Sequence, residues 1–335
     1  MKFDKKAWID GILSGRVKKA MPILSFPSVT LMGISVKDLI SDSATQARAM
    51  KLIADRCDTL ASVSMMDLSV EAEAFGSTIK FSDDEVPTVL GAIVRSPEDA
   101  KNLKTPAGGA RRTGLYTDAI AKAAALITDR PVFAGVIGPF SLAGRLMDMT
   151  EIMVNCYEDP DMVHETLRKA SEFILSYARA FKAAGADGVV MAEPAAGLLS
   201  PEIANEFSSR YVKPIANALK DDGFAFIYHN CGKTVPLCQT LLSIGADAYH
   251  FGNAIDIEDI FKIFPAHIPV MGNISPAERF RNGAPAEMAA AVRELLGKCS
   301  KYPNFVISSG CDIPPLSPWA NIDMFFKTVK DFYGN

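Results

Sequence analysis

A histidine and a cysteine stand two residues apart in Tyr228-His229-Asn230-Cys231-Gly232, directly after the apolar run Phe224-Ala225-Phe226-Ile227. That run reads as a buried strand. Side chains two apart on a strand point the same way, so an imidazole nitrogen and a thiol sulfur converge on one point. Such a pair is half of a zinc site. Cys311, in Ser308-Ser309-Gly310-Cys311-Asp312-Ile313-Pro314-Pro315, again follows a strand-like run and supplies a third ligand. Three protein ligands with one open position form the pattern of a catalytic zinc rather than a structural one. For the first pair alone, the other reading is a buried histidine beside a small apolar thiol. The third cysteine, at a matching strand end, favours the metal.

Other polar residues fall at strand ends too. Glu193 follows Val189-Val190-Met191-Ala192 and is hard to bury without a role. It reads as an ion-pair or capping group, as a substrate-orienting carboxylate, or as the fourth, displaceable zinc ligand. Asp67 lies at the rim above the second strand, with Glu71 and Glu73 farther along the same loop. His250 and Asn273 follow two later strands, and His250 divides between a partner of the zinc ligands and a core residue. Cys57, Cys156, Cys238 and Cys299 sit in helical patterns without a partner at ligand spacing and read as plain thiols. His164 and His267 lie away from the rim and read as surface or capping residues.

The elements that must carry these residues alternate regularly. Apolar strands are expected near 22, 60, 132, 188, 224, 247, 268 and 305, most of them separated by amphipathic helical patterns. That alternation argues for a parallel sheet, and eight strands in one chain argue for a (β/α)8 TIM barrel. Pro22 to Phe26 is expected as the first strand, 77–95 as short strands or a hairpin, and 160–184 as a long helix ending at Gly185. A helix over 4–15 precedes the barrel as an N-terminal extension. The whole of 1–335 reads as one domain. Active sites in this fold lie at the C-terminal ends of the strands, which is where His229, Cys231, Cys311, Asp67, Glu193, His250 and Asn273 all fall.

Bulk properties narrow the classes. The chain has 335 residues, 49% hydrophobic and 22% charged, enough for a large core. A net charge of −4 lacks the basic excess of a nucleic-acid binder. No apolar stretch reaches membrane-span length, and the charged start Met1-Lys2-Phe3-Asp4-Lys5-Lys6 leads into no apolar signal region. The expectation is a cytoplasmic protein with free thiols.

His229-x-Cys231 with the distant Cys311 resembles the zinc motif of the methylcobamide:coenzyme M methyltransferases, within the uroporphyrinogen decarboxylase superfamily of barrels. Glu71-Ala72-Glu73-Ala74-Phe75-Gly76, Ile137-Gly138-Pro139-Phe140-Ser141-Leu142-Ala143, Gly272-Asn273-Ile274-Ser275-Pro276 and Gly310 to Pro315 agree in order, so the similarity spans nearly the whole chain. The resemblance implies zinc at His229, Cys231 and Cys311. It also implies a methyl group arriving as methylcobamide on a separate corrinoid protein, and a small thiol such as coenzyme M as acceptor. The chain shows no Asp-x-His-x-x-Gly that would hold a corrinoid itself. Arg145, which falls where the decarboxylases carry a tyrosine, becomes a candidate for an anionic tail. The decarboxylases' arginine-containing segment falls at Leu24-Ser25-Phe26-Pro27-Ser28-Val29, which has no arginine, while their aspartate matches Asp67. The alternatives are transfer in the demethylating direction, onto the corrinoid, and a uroporphyrinogen decarboxylase-like decarboxylation. Dimers in the parent family make a homodimer an expectation.

Overall fold

The computed structural model describes residues 3–334. Seven parallel strands form one sheet: β1 (Ser62–Val63), β4 (Val132–Ile137), β5 (Gly188–Ala192), β6 (Ala225–Asn230), β7 (Ala248–Phe251), β8 (Val270–Ile274) and β9 (Phe305–Ser309), paired in that order. β2 (Thr78–Lys80) and β3 (Thr88–Leu90) form a separate antiparallel hairpin, as expected for 77–95. The large sheet is curled. Val63, Phe133, Val190, Ile227, Ala248, Met271 and Val306, one from each strand, meet in a single inner cluster. Their neighbours on the strands pack outward under the helices. Buried on both faces, these strands are largely apolar, as parallel strands between helices are, with polar residues such as His229, Asn273 and Ser308 gathered towards their C-terminal ends.

The expectation of a strand over Pro22–Phe26 is corrected. Only Ala20 forms a bridge, to Thr59, and residues 28–32 already turn into a short helix. Pro22 has no amide hydrogen to give a ladder. The segment nevertheless lies between the two edge strands. Leu60 N donates to Ala20 O, and Met21 N donates to Ile307 O. Ile23 N donates to Ser309 Oγ, and Ser25 Oγ donates to Val63 O. Met21 and Ile23 thereby join the inner cluster.

Helices form where periodicity and end signals agree. The longest, Pro160–Ala183, starts with Pro160 behind Asp159, whose side chain accepts from Met162 N. Its buried stripe runs Val163, Leu167, Ala170, Phe173, Ile174, Tyr177 and Phe181 at helical spacing. It stops before Gly185, which takes a φ of 97°. Residues 36–56 form two helices, Val36–Ser41 and Ser43–Arg56, because Asp42 ends one and caps the next. At the N-terminal end of the sheet the helix Lys5–Ser14 lays Trp8 against Phe133, ring centroids 5.4 Å apart. One end of the inner cluster is thus covered, and the strands' C-terminal ends are left as the place for a site.

Candidate functional site

On β6 the inward residues are Ala225 and Ile227, so the two-residue period brings His229 inward and, one step past the strand, Cys231. Gly252, after β7, lets the backbone lie against this turn: a Cβ there would stand 2.4 Å from Cys231 Cα. Cys311 follows β9 through Ser309 and Gly310. The chain ends of β6 and β9 meet, and His229, Cys231 and Cys311 each offer a donor atom within 4.8 Å of the others. In a tetrahedral zinc site with bonds of about 2.0–2.3 Å, donors stand somewhat under about 4 Å apart, so small side-chain rotations complete the set.

Two observations fit a metal there. His229 is 1% exposed, and its Nε2, beside the two thiols, has no hydrogen bond of standard geometry. The two thiols are hydrogen-bonded to each other. Cys231 is drawn far below the usual thiol range, first by the hydrogen bond from Cys311 and then by His229. Cys311 is pushed up by the same bond and by burial. The Cys311 hydrogen bond and His229 both favour the thiolate of Cys231, the form that binds metal. The donors border a cavity of about 70 Å³ walled by Ile23, Met66, Leu68, Ala192 and Pro194. Its wall carries no arginine or lysine.

The imidazole behind this set is His250. His229 and His250 are register partners on β6 and β7, so both point inward side by side. His229 Nδ1 lies 2.8 Å from His250 Nδ1 and 3.2 Å from the His250 carbonyl oxygen. His250 Nε2 lies 2.7 Å from Ser308 Oγ, which in turn lies 2.7 Å from Met21 O. Burial, and then the neighbouring His229, holds His250 well below the usual imidazole range, so it is neutral.

The remaining sequence candidates separate. Asp67 Oδ2 accepts from Arg112 and from Tyr116 Oη, and Oδ1 accepts from the Ser69 amide and hydroxyl. Arg112 also pairs with Glu73. Asp67 thus anchors the loop above β1. Asn273 donates to Gly252 O and Ile255 O, tying down the loop that backs Cys231. Glu193 turns away from the mouth: Ala192 is inward, so the next residue faces the helices. Glu193 Oε1 accepts from the amides of Phe140 and Ser141, at the start of the helix Pro139–Met147, and from Ser208 Oγ. Burial pushes its carboxyl up to about 8, against those amides. Glu71, accepting from Ile137 N, is likewise pushed up by burial to about 7. Arg145 is largely buried and borders a cleft with Thr88, Val89, Gly91 and Asp148. It forms no hydrogen bond with any described residue, and burial pulls its pKa down against the attraction of Glu71, Asp67 and Glu193.

Sequence reasoning missed three participants. Asp312 borders the metal cavity, with Oδ1 unpartnered and its carboxyl raised by burial; its place beside Cys311 was the available signal. Ser308 and Arg112 gave none, because their partners are 58 and 45 positions away.

The uroporphyrinogen decarboxylase family model matches residues 18–332. This chain belongs to the uroporphyrinogen decarboxylase family. It is 27% identical over 274 residues, 79% of its length and 78% of the relative's, to a methylcobamide:CoM methyltransferase of Methanosarcina acetivorans. Over 293 residues, 82% of the chain and 79% of the relative, it is 24% identical to the uroporphyrinogen decarboxylase of Azoarcus. Its fold superposes on a solved methyltransferase from Methanosarcina mazei with a TM-score of 0.86 at 21% identity, covering 99% of both chains. The resemblance to the uroporphyrinogen decarboxylase superfamily and to its methylcobamide:CoM methyltransferases is thus shown. Among the described residues no helix is long and apolar enough to cross a membrane.

Proposed function

We propose that this protein moves a methyl group from a methylated corrinoid, carried by a separate protein, to a small thiol such as coenzyme M, with zinc held by His229, Cys231 and Cys311. The observation that carries the proposal is the convergence of one buried imidazole nitrogen, without a hydrogen bond of standard geometry, and two thiols at the strand ends. The chain's similarity to a methylcobamide:CoM methyltransferase supports the reading. We take the 20–25 segment, hydrogen-bonded to both edge strands, as the eighth stave of a (β/α)8 barrel in a single domain.

Bound zinc would supply Lewis acidity that holds a substrate thiol as thiolate near neutral pH, where a free thiol of pKa about 8.5 is only a few per cent ionised. In the reaction a sulfur–carbon bond forms and the cobalt–carbon bond breaks, its electron pair staying on cobalt. The residues of this chain orient and desolvate. Cys231 and Cys311 bring two anionic ligands, which moderate the Lewis acidity and leave a bound thiolate nucleophilic. Ile23, Met66, Leu68 and Ala192 give the sulfur an apolar wall that excludes water. Arg145 lines a separate cleft rather than the metal cavity; with its donors unspent, it is the cation we assign to an anionic tail that extends beyond the cavity. The same features disfavour decarboxylation of a polycarboxylate, since the cavity is small and its wall carries no cation.

The test is zinc content with turnover. The purified protein should hold about one zinc per chain, lose activity to a chelator and regain it with zinc. Methylcobalamin plus a panel of thiols should yield the cob(I)alamin spectrum. A zinc-free Cys311→Ala protein with full activity would refute the proposal.

A further inference from the structure

We propose that His250 and Ser308 are positioning residues that fix the tautomer of His229, keeping Nε2 proton-free and aimed at the metal position. The inference rests on the reading of His229, Cys231 and Cys311 as the zinc site and goes beyond it, because it concerns how the chain selects the ligating nitrogen.

The argument is one of hydrogen-bond direction. Met21 O can only accept, so Ser308 gives it its single hydroxyl proton across 2.7 Å. Ser308 Oγ is then left to accept from His250 Nε2, 2.7 Å away. An imidazole that spends its hydrogen on Nε2 presents the lone pair of Nδ1. That lone pair meets His229 Nδ1 at 2.8 Å, and one of the two facing nitrogens must carry a hydrogen. It belongs to His229 Nδ1. The same assignment follows from the other end. The His250 carbonyl oxygen, 3.2 Å from His229 Nδ1, can only accept, so His229 Nδ1 is a donor there too. Both ends of the chain of bonds are backbone carbonyls, and both demand the same polarity. His229 Nε2 is left without a hydrogen, and it is the atom that has no hydrogen bond of standard geometry in the protein.

The relay also explains why the site depends on the 20–25 segment. Met21, which donates its amide to Ile307 O, presents its carbonyl to Ser308. This segment thus orients a ligand more than two hundred residues away.

The experiment is competition for zinc between the protein and a chromophoric chelator, on the full chain, with nitrogen-15 shifts of the imidazoles in zinc-free protein as a second readout. Ser308→Ala removes the acceptor for His250 Nε2–H and should weaken zinc binding about 10-fold, and His250→Phe about 10- to 100-fold, the range for loss of such outer partners. Ser308→Thr keeps the hydroxyl and should bind within about 3-fold of wild type. A role in packing alone predicts the opposite order, with bulkier threonine worse than alanine. Zinc-free wild type should show His229 protonated on Nδ1. Wild-type zinc affinity in Ser308→Ala, or His229 protonated on Nε2, would overturn the proposal and leave the metal site standing. A wild-type protein that takes up no zinc would overturn the metal reading and this inference with it.

Discussion

Glu193→Gln separates a carboxylate that serves the metal from one that holds a helix. Glu193 is completely buried, and burial pushes its carboxyl up to about 8. In the unfolded chain a glutamate titrates near 4.5. Between those values the folded state keeps a proton that the unfolded state has lost. Stability is therefore fully present below the unfolded value, falls as pH rises through the window, and levels off above the folded value. A glutamine has no such window. It keeps an oxygen for the amides of Phe140 and Ser141 and leaves one group unpaired, as the neutral acid does at Oε2. Every tenfold difference in proton affinity between the folded and unfolded chain is worth about 1.4 kcal/mol, so the variant should match wild type at about pH 5 and exceed it by on the order of 3 kcal/mol at about pH 8. Glu71, raised in the same direction, is present in both proteins and cancels. Urea unfolding at the two pH values measures the difference, and zinc content and thiol turnover are measured on the same samples. Equal stabilities at both pH values would refute the buried-neutral-acid reasoning. Loss of zinc in the variant would show that Glu193 reaches the metal after all.

Arg145→Leu should raise KM for a sulfonated thiol about 10- to 100-fold, the worth of a hydrogen bond to a charged group, and leave KM for a neutral thiol unchanged. Equal effects on both thiols would remove Arg145 from the tail site. Gly138→Ala should destabilise the protein by about 1–3 kcal/mol in denaturant unfolding, because its Cβ would fall 1.4 Å from Glu193 Oε2 and 2.9 Å from Glu193 Cβ. An unchanged midpoint would place the Glu193 side chain elsewhere.

Much of the architecture, and the three side chains that converge at the mouth, was legible in the residues. Apolar strands alternate with striped helices, caps such as Asp159 and stops such as Gly185 stand where the helix ends fall, and His229, Cys231 and Cys311 stand at the C-terminal ends of two strands of one parallel sheet. The strand over 22–26 was not legible as it stands, since its apolar run matches a strand while its hydrogen bonds go piecemeal to two edges.

The amino-acid order by itself determined the donor chemistry and the end of the sheet at which it gathers, because ligand type is a property of the side chain and a parallel strand has only one end that opens to loops on that side. Tertiary structure decided which rim residues face the mouth. β5 is buried on both faces, so its sequence Gly-Val-Val-Met-Ala shows no alternation, and only register reveals that Ala192 is inward and Glu193 outward. It also decided the tautomer of His229. That is set by Ser308 and the Met21 carbonyl, groups brought together only when the two ends of the chain meet.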